Sequence, residues 1–325
     1  MRSPLKPMEF QASDTIPGGK WLFEPKWDGF RCIAARKGKT IKLRSKNGQS
    51  LNRYFPEIVA RLLSMKADRF VIDGELMMRS TRGTFDDLLQ RIHPAASRVA
   101  RLAKETPAVL MAFDLLSDER GGTLMKLPLL QRRNSLNVFA RKFFGSTPGL
   151  KLSPATTSRA VANKWLSQPR ASMDGVIAKD LQSPYRAGKR DGGTKIKRVR
   201  TADCVVGGFR YTAAGGGIGS LLLGLYDQEG KLNHVGFTSG FSDDERRKLV
   251  PKLKKLIKPP GFTGKAPGGP SRWSTKRTDE WKPLDPKLVV EVAFDRVTNK
   301  RIRHGARFVR WRPDKSPRTC MMDQL

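Results

Sequence analysis

The stretch Glu24-Pro25-Lys26-Trp27-Asp28-Gly29-Phe30-Arg31 holds the side chains best suited to chemistry on a phosphate. An amine such as that of Lys26 can attack a phosphorus atom and carry a nucleotide on its own side chain. Asp28, two residues on, stands close to that amine or to a metal ion. Gly29 permits close backbone approach, and Arg31 answers phosphate or ribose oxygens. Taken alone, the stretch also suits a solvated, charged turn, so the rest of the chain has to decide.

Further clusters lie downstream. Arg44-Ser45-Lys46-Asn47-Gly48 is a basic, hydroxyl-bearing turn able to bind phosphate, although such a turn is more often a plain hairpin. Phe70-Val71-Ile72 runs into Asp73-Gly74-Glu75, a carboxylate pair suited to a metal or ribose site. Phe113 sits in the apolar run 109–116 and reads as core by pattern. Asp174-Gly175-Val176-Ile177-Ala178-Lys179 places a carboxylate and an amine at the two ends of a strand. Lys195-Ile196-Lys197 puts two lysines on one strand face, which costs energy unless an anion sits between them. The tail contains Arg310-Trp311-Arg312-Pro313-Asp314-Lys315.

The elements that position these residues follow from the patterning. Short strands at 22–23, 32–35 and 41–45 leave Lys26 at a strand end facing a cleft. Residues 55–63 have helical spacing, Thr84 is placed to cap a helix with Asp86 and Asp87 in its first turn, and 129–144 and 157–166 read as helices. Character changes near Arg200. Strands are expected at 201–211, 219–227, 232–239, 288–294 and 307–312, and a Ser242–Glu245 capping box opens a helix. The glycine run at 215–219 leads from strand to strand, so it reads as a hairpin and not as a dinucleotide fingerprint. Five strands and one helix match a small oligonucleotide-binding (OB-fold) β-barrel. The expected architecture is α+β, with one domain over 1–199 and an OB-fold domain over 200–325.

Charge narrows the partners. The 325 residues hold 63 Lys+Arg against 30 Asp+Glu, a net +33 that divides as +21 over residues 1–199 and +12 over 200–325. A folded protein with that excess on both halves repels itself unless it works beside a polyanion, and nucleic acid is the first choice. Cys32, Cys204 and Cys320 lie far apart with no zinc spacing, so they read as buried reduced thiols of a cytoplasmic protein. Neither a signal peptide nor a membrane-spanning run is evident.

Together these stretches resemble the ATP-dependent DNA ligases of the covalent nucleotidyltransferase superfamily. Lys26-x-Asp28-Gly29-x-Arg31, Asp73-Gly74-Glu75, Phe113-Asp114, Asp174 to Lys179, Lys195-x-Lys197 and Arg312-x-Asp314-Lys315 follow that family's order and spacing. Closest in pattern is the bacterial ligase C type, related to the ligase domain of ligase D. The resemblance implies an ATP-grasp-like adenylation (nucleotidyltransferase) domain ahead of the OB-fold. It implies ATP as cofactor, with a covalent AMP on Lys26, and Mg2+ or Mn2+ at Asp28, Glu75 and Asp174. Glu24 would contact adenine and Phe113 stack on it, while Arg31 and Glu75 hold the ribose or adjoining phosphate. Lys179, Lys195 and Lys197 would serve the phosphates, with Arg312 and Lys315 reaching pyrophosphate when the domains close. Arg44, Ser45, Lys46, Arg98 and Arg303 are the expected DNA contacts, and the segment 296–307 is a wider candidate. The implied partner is nicked double-stranded DNA, alongside other repair proteins such as a primase-polymerase. The protein would work as a monomer at the bacterial nucleoid.

Two positions depart from the family pattern. Lys46 stands where arginine is usual, which removes bidentate phosphate binding. Asp174 stands where glutamate is more frequent. RNA ligases and RNA-capping guanylyltransferases share the lysine motif, and nucleotide labelling separates them. A non-enzymatic nucleic-acid-binding protein would need no ordered set of lysines and carboxylates.

Overall fold

The computed structural model describes residues 5–78, 85–145, 148–168, 172–213, 215–268, 280–295, 297–303 and 305–325. The expected cap Thr84 and Arg296 of the candidate DNA segment lie outside these residues. The chain forms two compact units, Met1–Arg198 and Val199–Leu325.

In the first unit the order is β1 (Glu9–Ser13), β2 (Trp21–Trp27), β3 (Phe30–Lys37), β4 (Thr40–Ser45), α1 (Pro56–Ser64), β5 (Arg69–Met78), α2 (Phe85–Leu89) and α3 (Ala96–Glu105). It continues with β6 (Ala108–Ser117), α4 (Leu129–Phe143), β7 (Leu150–Leu152), α5 (Arg159–Ser167), β8 (Met173–Asp180) and β9 (Arg190–Lys197). The strands make two sheets, ordered β4-β3-β5-β6-β7 and β1-β9-β8-β2. β6 is buried along nearly its whole length, as its unbroken apolar run requires of an interior strand. Apolar side chains of α1 and α4, among them Ile58, Leu62, Leu136 and Phe139, pack with Leu43, Phe70 and Ile72 on one side of the first sheet. Ala162 of α5 packs with Phe23, Val176 and Ile196 on the second sheet. Phe10, Ile33, Leu116 and Ile177 come from both sheets and meet in one cluster, so the sheets face each other.

The chain crosses from the second sheet to the first at Asp28-Gly29, between β2 and β3. A Cβ at Gly29 would overlap the Leu76 carbonyl oxygen on β5. The motif glycine is therefore a packing requirement that brings Lys26 on one sheet and Glu75 on the other to a shared opening.

The second unit contains β10 (Arg200–Tyr211), β11 (Ile218–Tyr226), β12 (Leu232–Thr238), α6 (Asp243–Lys254), β13 (Lys282–Pro283), β14 (Val289–Phe294), β15 (Val297–Thr298), β16 (Arg301–Ile302) and β17 (Arg307–Trp311). Its main sheet runs β12-β11-β10-β14-β17, with β13 also on β10. A closed barrel is not seen among the described residues. The two edge strands touch at one parallel bridge, Thr238 to Ala306, where Ala306 N–H donates to Phe237 O at 2.7 Å. The edge strand β17 is short and mostly exposed, with Arg307 and Arg310 facing solvent, which leaves a polar edge and no full ladder. Gly215 and Gly216 have φ of 76° and 74° in the β10–β11 hairpin, the left-handed turn geometry that glycine allows. The Ser242–Glu245 capping box opens α6.

Candidate active site

A cavity of about 170 Å³ opens in the first unit at the ends of both sheets. β2 contributes Glu24 and Lys26, which share a face because strand side chains repeat every two residues. Arg31 comes from β3, Glu75 from β5, Phe113 from β6, Lys179 from β8 and Lys195 from β9, while Lys46 follows β4. Ile177, Trp27, Met8 and Phe10 add apolar surface to the wall.

The Lys26 ammonium donates to both oxygens of Asp174, at 2.6 and 2.7 Å. The register of β2 on β8 sets this contact by placing Lys26 opposite Gly175. Arg31 is held as firmly: its Nε and Nη2 each reach Asp73 at 2.6 Å. The Tyr185 hydroxyl donates to Asp73 at 2.6 Å and accepts from Met8 N–H at 3.0 Å. Burial works against the Arg31 charge, but the charge and hydrogen bonds of Asp73 outweigh it and hold the guanidinium above its ordinary pKa. Burial raises the pKa of Tyr185, and the Asp73 charge raises it further.

Glu24 is buried, with Lys179 donating to Oε2 at 2.7 Å and Arg133 to Oε1 at 3.4 Å. Arg133 also donates to the Ser153 carbonyl oxygen. The ring of Phe113 carries two cations, Arg31 at 4.5 Å and Lys179 at 4.6 Å from its centroid. Glu75 is pushed up to about 8, mainly by burial; Asp73 and Asp28 add to the rise, and Arg31 and Lys26 oppose it. Lys195 is shifted the other way: burial and then Arg190, Lys197, Lys26 and Lys46 lower its pKa.

Several of the expected site residues have partners within the chain. Asp73, grouped with Glu75 as a metal or ribose ligand, is fully buried and serves Arg31 and Tyr185. Arg44 donates to Gly48 O at 3.2 Å and the Ser45 hydroxyl accepts from Gln49 N–H at 3.1 Å, so both close their own turn. Lys46 reaches Glu9 at 2.8 Å, and Arg98 reaches Gln90 at 2.5 Å. Arg303 is exposed and lies in the second unit. Arg312 and Lys315 belong to that unit too, bound to Asp203 at 2.9 and 3.3 Å. Arg133, Tyr185 and Arg190 stand in basic stretches legible in the sequence, but neither they nor Ser153 carry a site role there. Their partners in the site lie 109, 112, 181 and 126 residues away, beyond the reach of any local pattern.

Among the described residues no three His, Cys, Asp or Glu side chains converge on a point that could hold a metal ion. The carboxylates present nevertheless fit Mg2+ or Mn2+. Glu75 is half-buried and near Asp28, and desolvation first and then the charges of Asp73 and Asp28 raise its pKa, a cost that a cation would relieve. Magnesium is commonly bound by one or two carboxylates together with substrate phosphates and water, so no preformed cage is needed.

A lysine amine beside a buried carboxylate, a flat ring and a second lysine crowded by cations suits chemistry on a nucleotide phosphate. The comparisons agree with that class. The ATP dependent DNA ligase domain matches residues 6–197, and the ATP dependent DNA ligase C terminal region matches residues 214–315. DNA ligase C of Mycobacterium tuberculosis is 42% identical over 342 residues, covering 99% of this chain and 94% of its own. The multifunctional non-homologous end joining DNA repair protein LigD of the same species is 28% identical over 313 residues, 93% of this chain and 37% of its own. The crystal structure of the LigD ligase domain is 26% identical, covers 98% of each chain and superposes with a TM-score of 0.50. The chain belongs to the ATP-dependent DNA ligase family. No helix among the described residues is long and apolar enough to cross a membrane.

Proposed function

We propose that this chain seals nicks in duplex DNA for DNA repair, through a covalent AMP on Lys26. The observation that carries the reading is the single cleft that gathers Lys26, Glu24, Phe113 and Lys195. In the first step Lys26 Nζ attacks the α-phosphorus of ATP, a P–N bond forms and pyrophosphate leaves. An ammonium cannot attack, and the Asp174 carboxylate at 2.6 Å is placed to hold the departing proton. In the second step an oxygen of the nick's 5′-phosphate displaces Lys26 from the AMP. In the third the 3′-hydroxyl attacks that 5′-phosphate, joins the strand and releases AMP.

Phe113 and Ile177 supply apolar surface for the base, and Lys195 with Lys197 the positive charge for the α-phosphate. Glu75 with Asp28 would hold a divalent ion, Mg2+ or Mn2+, which would neutralise charge on the transferred phosphate, whereas Asp174, the third expected ligand, is engaged by Lys26. Arg312 and Lys315 of the second unit would carry pyrophosphate charge. Repair is supported by the kinship with LigD, and work at the nucleoid by the +33 charge. Binding to DNA rests on phosphates, so affinity falls steeply with salt and depends little on sequence.

Incubation with ATP and Mg2+ followed by intact-mass measurement should show one added AMP, lost in Lys26→Ala. A nicked duplex should then be sealed by the wild type alone. Labelling that persists in Lys26→Ala would overturn the assignment.

A further inference from the structure

We propose that Arg133 is a positioning residue that sets the choice of nucleotide base, by fixing the orientation of the Glu24 carboxylate. The proposal rests on the reading that the base enters beside Glu24 and Phe113. Glu24 faces the cleft, whereas Arg133 stands outside its lining. Arg133 is itself nearly buried on α4, where an unpaired guanidinium would be costly. Its Nη1 reaches Glu24 Oε1 at 3.4 Å and its Nη2 donates to the Ser153 carbonyl oxygen. Ser153 is fully buried, and its hydroxyl accepts from the Trp27 indole N–H at 2.9 Å. Glu24 and Trp27 lie on β2 on either side of Lys26, so the Arg133–Ser153 pair braces the nucleophile's strand against α4.

Two cations thus hold the carboxylate from different elements, Lys179 on Oε2 and Arg133 on Oε1. A carboxylate so held only accepts hydrogen bonds. Adenine presents an exocyclic amino donor where guanine presents a carbonyl oxygen. The fixed carboxylate therefore welcomes the first and repels the second. Without Arg133, Glu24 keeps one cationic partner, Lys179, and is free to turn both oxygens to it and away from the base. Phe113 and Ile177 would still give either purine apolar contact, so discrimination falls before binding does.

The experiment follows self-labelling of full-length wild type, Arg133→Gln and Arg133→Lys with ATP and with GTP separately, over a range of nucleotide concentrations. The expected result is strong preference for ATP in the wild type. In Arg133→Gln the KM for ATP rises about tenfold, as fits the loss of one charge-assisted hydrogen bond, with a smaller change in maximal rate. The ATP-to-GTP ratio narrows by about the same factor, and Arg133→Lys recovers part of it. Equal losses for both nucleotides, leaving the ratio intact, would mean that Arg133 only supports folding and would overturn the proposal. Equal use of ATP and GTP by the wild type would overturn it as well. If Arg133→Gln does not fold, Arg133→Lys decides: it keeps a cation but loses the fork geometry, so an unchanged ratio there overturns the proposal. Absence of any AMP uptake by the wild type would instead bring down the function proposed above.

Discussion

Lys195 and Arg312 bring a positive charge into opposite settings. Lys195 has no hydrogen-bond or ion-pair partner among the described residues, and Arg190, Lys197, Lys26 and Lys46 crowd it. Arg312 meets Asp314 at 2.8 Å, Asp203 at 2.9 Å and Glu291 at 3.8 Å, and its hydrogen bonds to Asp314 and then the Asp203 charge hold its pKa above the ordinary value. Lys315 shares Asp203 at 3.3 Å. The first arrangement holds repulsion that a bound anion would relieve. The second is neutralised at rest, so any external anion must take the place of internal carboxylates. Charge left uncompensated therefore marks where substrate phosphate is expected, and compensated charge marks a group with a structural role until it is drawn away.

The contrast can be tested from its strongest element downward. Compensated charge occurs inside the first unit too, and Asp73 is one such buried carboxylate, paired with Arg31. Asp73→Asn should lower stability by about 3–5 kcal/mol, the usual cost of breaking a buried ion pair, measured by chemical denaturation. Lys195→Ala should slow AMP uptake about 10²–10³-fold, the scale for removing one preorganised charge-stabilising donor, while raising the melting temperature. A fall in both would break the comparison. Arg312→Ala should do the reverse on stability, lowering the melting temperature because Asp314 loses its ion-pair partner and Asp203 and Glu291 each lose one of theirs, together with slower AMP uptake.

Acid sharpens the second half of the contrast. Burial, and then the charges of Arg301 and Arg210, push His234 down to about 3 from 6.5. The unfolded chain then takes up that proton first, so stability falls as pH drops from about 6.5 towards 3. Melts across that range should show the loss, and His234→Phe should flatten it. The smallest effect belongs to Ser242→Ala, which removes an exposed helix cap and should cost about 1 kcal/mol.

What the sequence revealed and what it hid divide along physical lines. Lys26, Glu75, Lys179 and Lys195 stand out because their neighbours are short fixed patterns at strand ends, and the fold brings them to one cleft. The five longer strands of the second unit, β10, β11, β12, β14 and β17, are legible within a residue or two because their apolar runs are bounded by turn residues, whereas the two-residue strands β13, β15 and β16 are too short to leave a pattern. Closure of the barrel is not legible either, because it depends on how far two edge strands extend alongside each other. The partners that orient the site are equally hidden. Nothing local tells that Asp73 faces Arg31 while Glu75, two residues on, opens to the cleft, or that Arg133 of a basic helix turns inward to Glu24. Arg44 and Ser45 are ambiguous for the opposite reason: the polar groups that suit a phosphate also suit the backbone of their own turn.

Trp27 carries a last consequence. Its indole lines the cleft while its N–H is fastened to Ser153, on the segment after β7. The ring therefore cannot swing away when the cleft fills, and its surroundings change instead. The chain holds a built-in optical gauge beside its nucleophile: the emission of this one tryptophan, isolated by replacing the other five, should follow nucleotide entry in real time without any added dye.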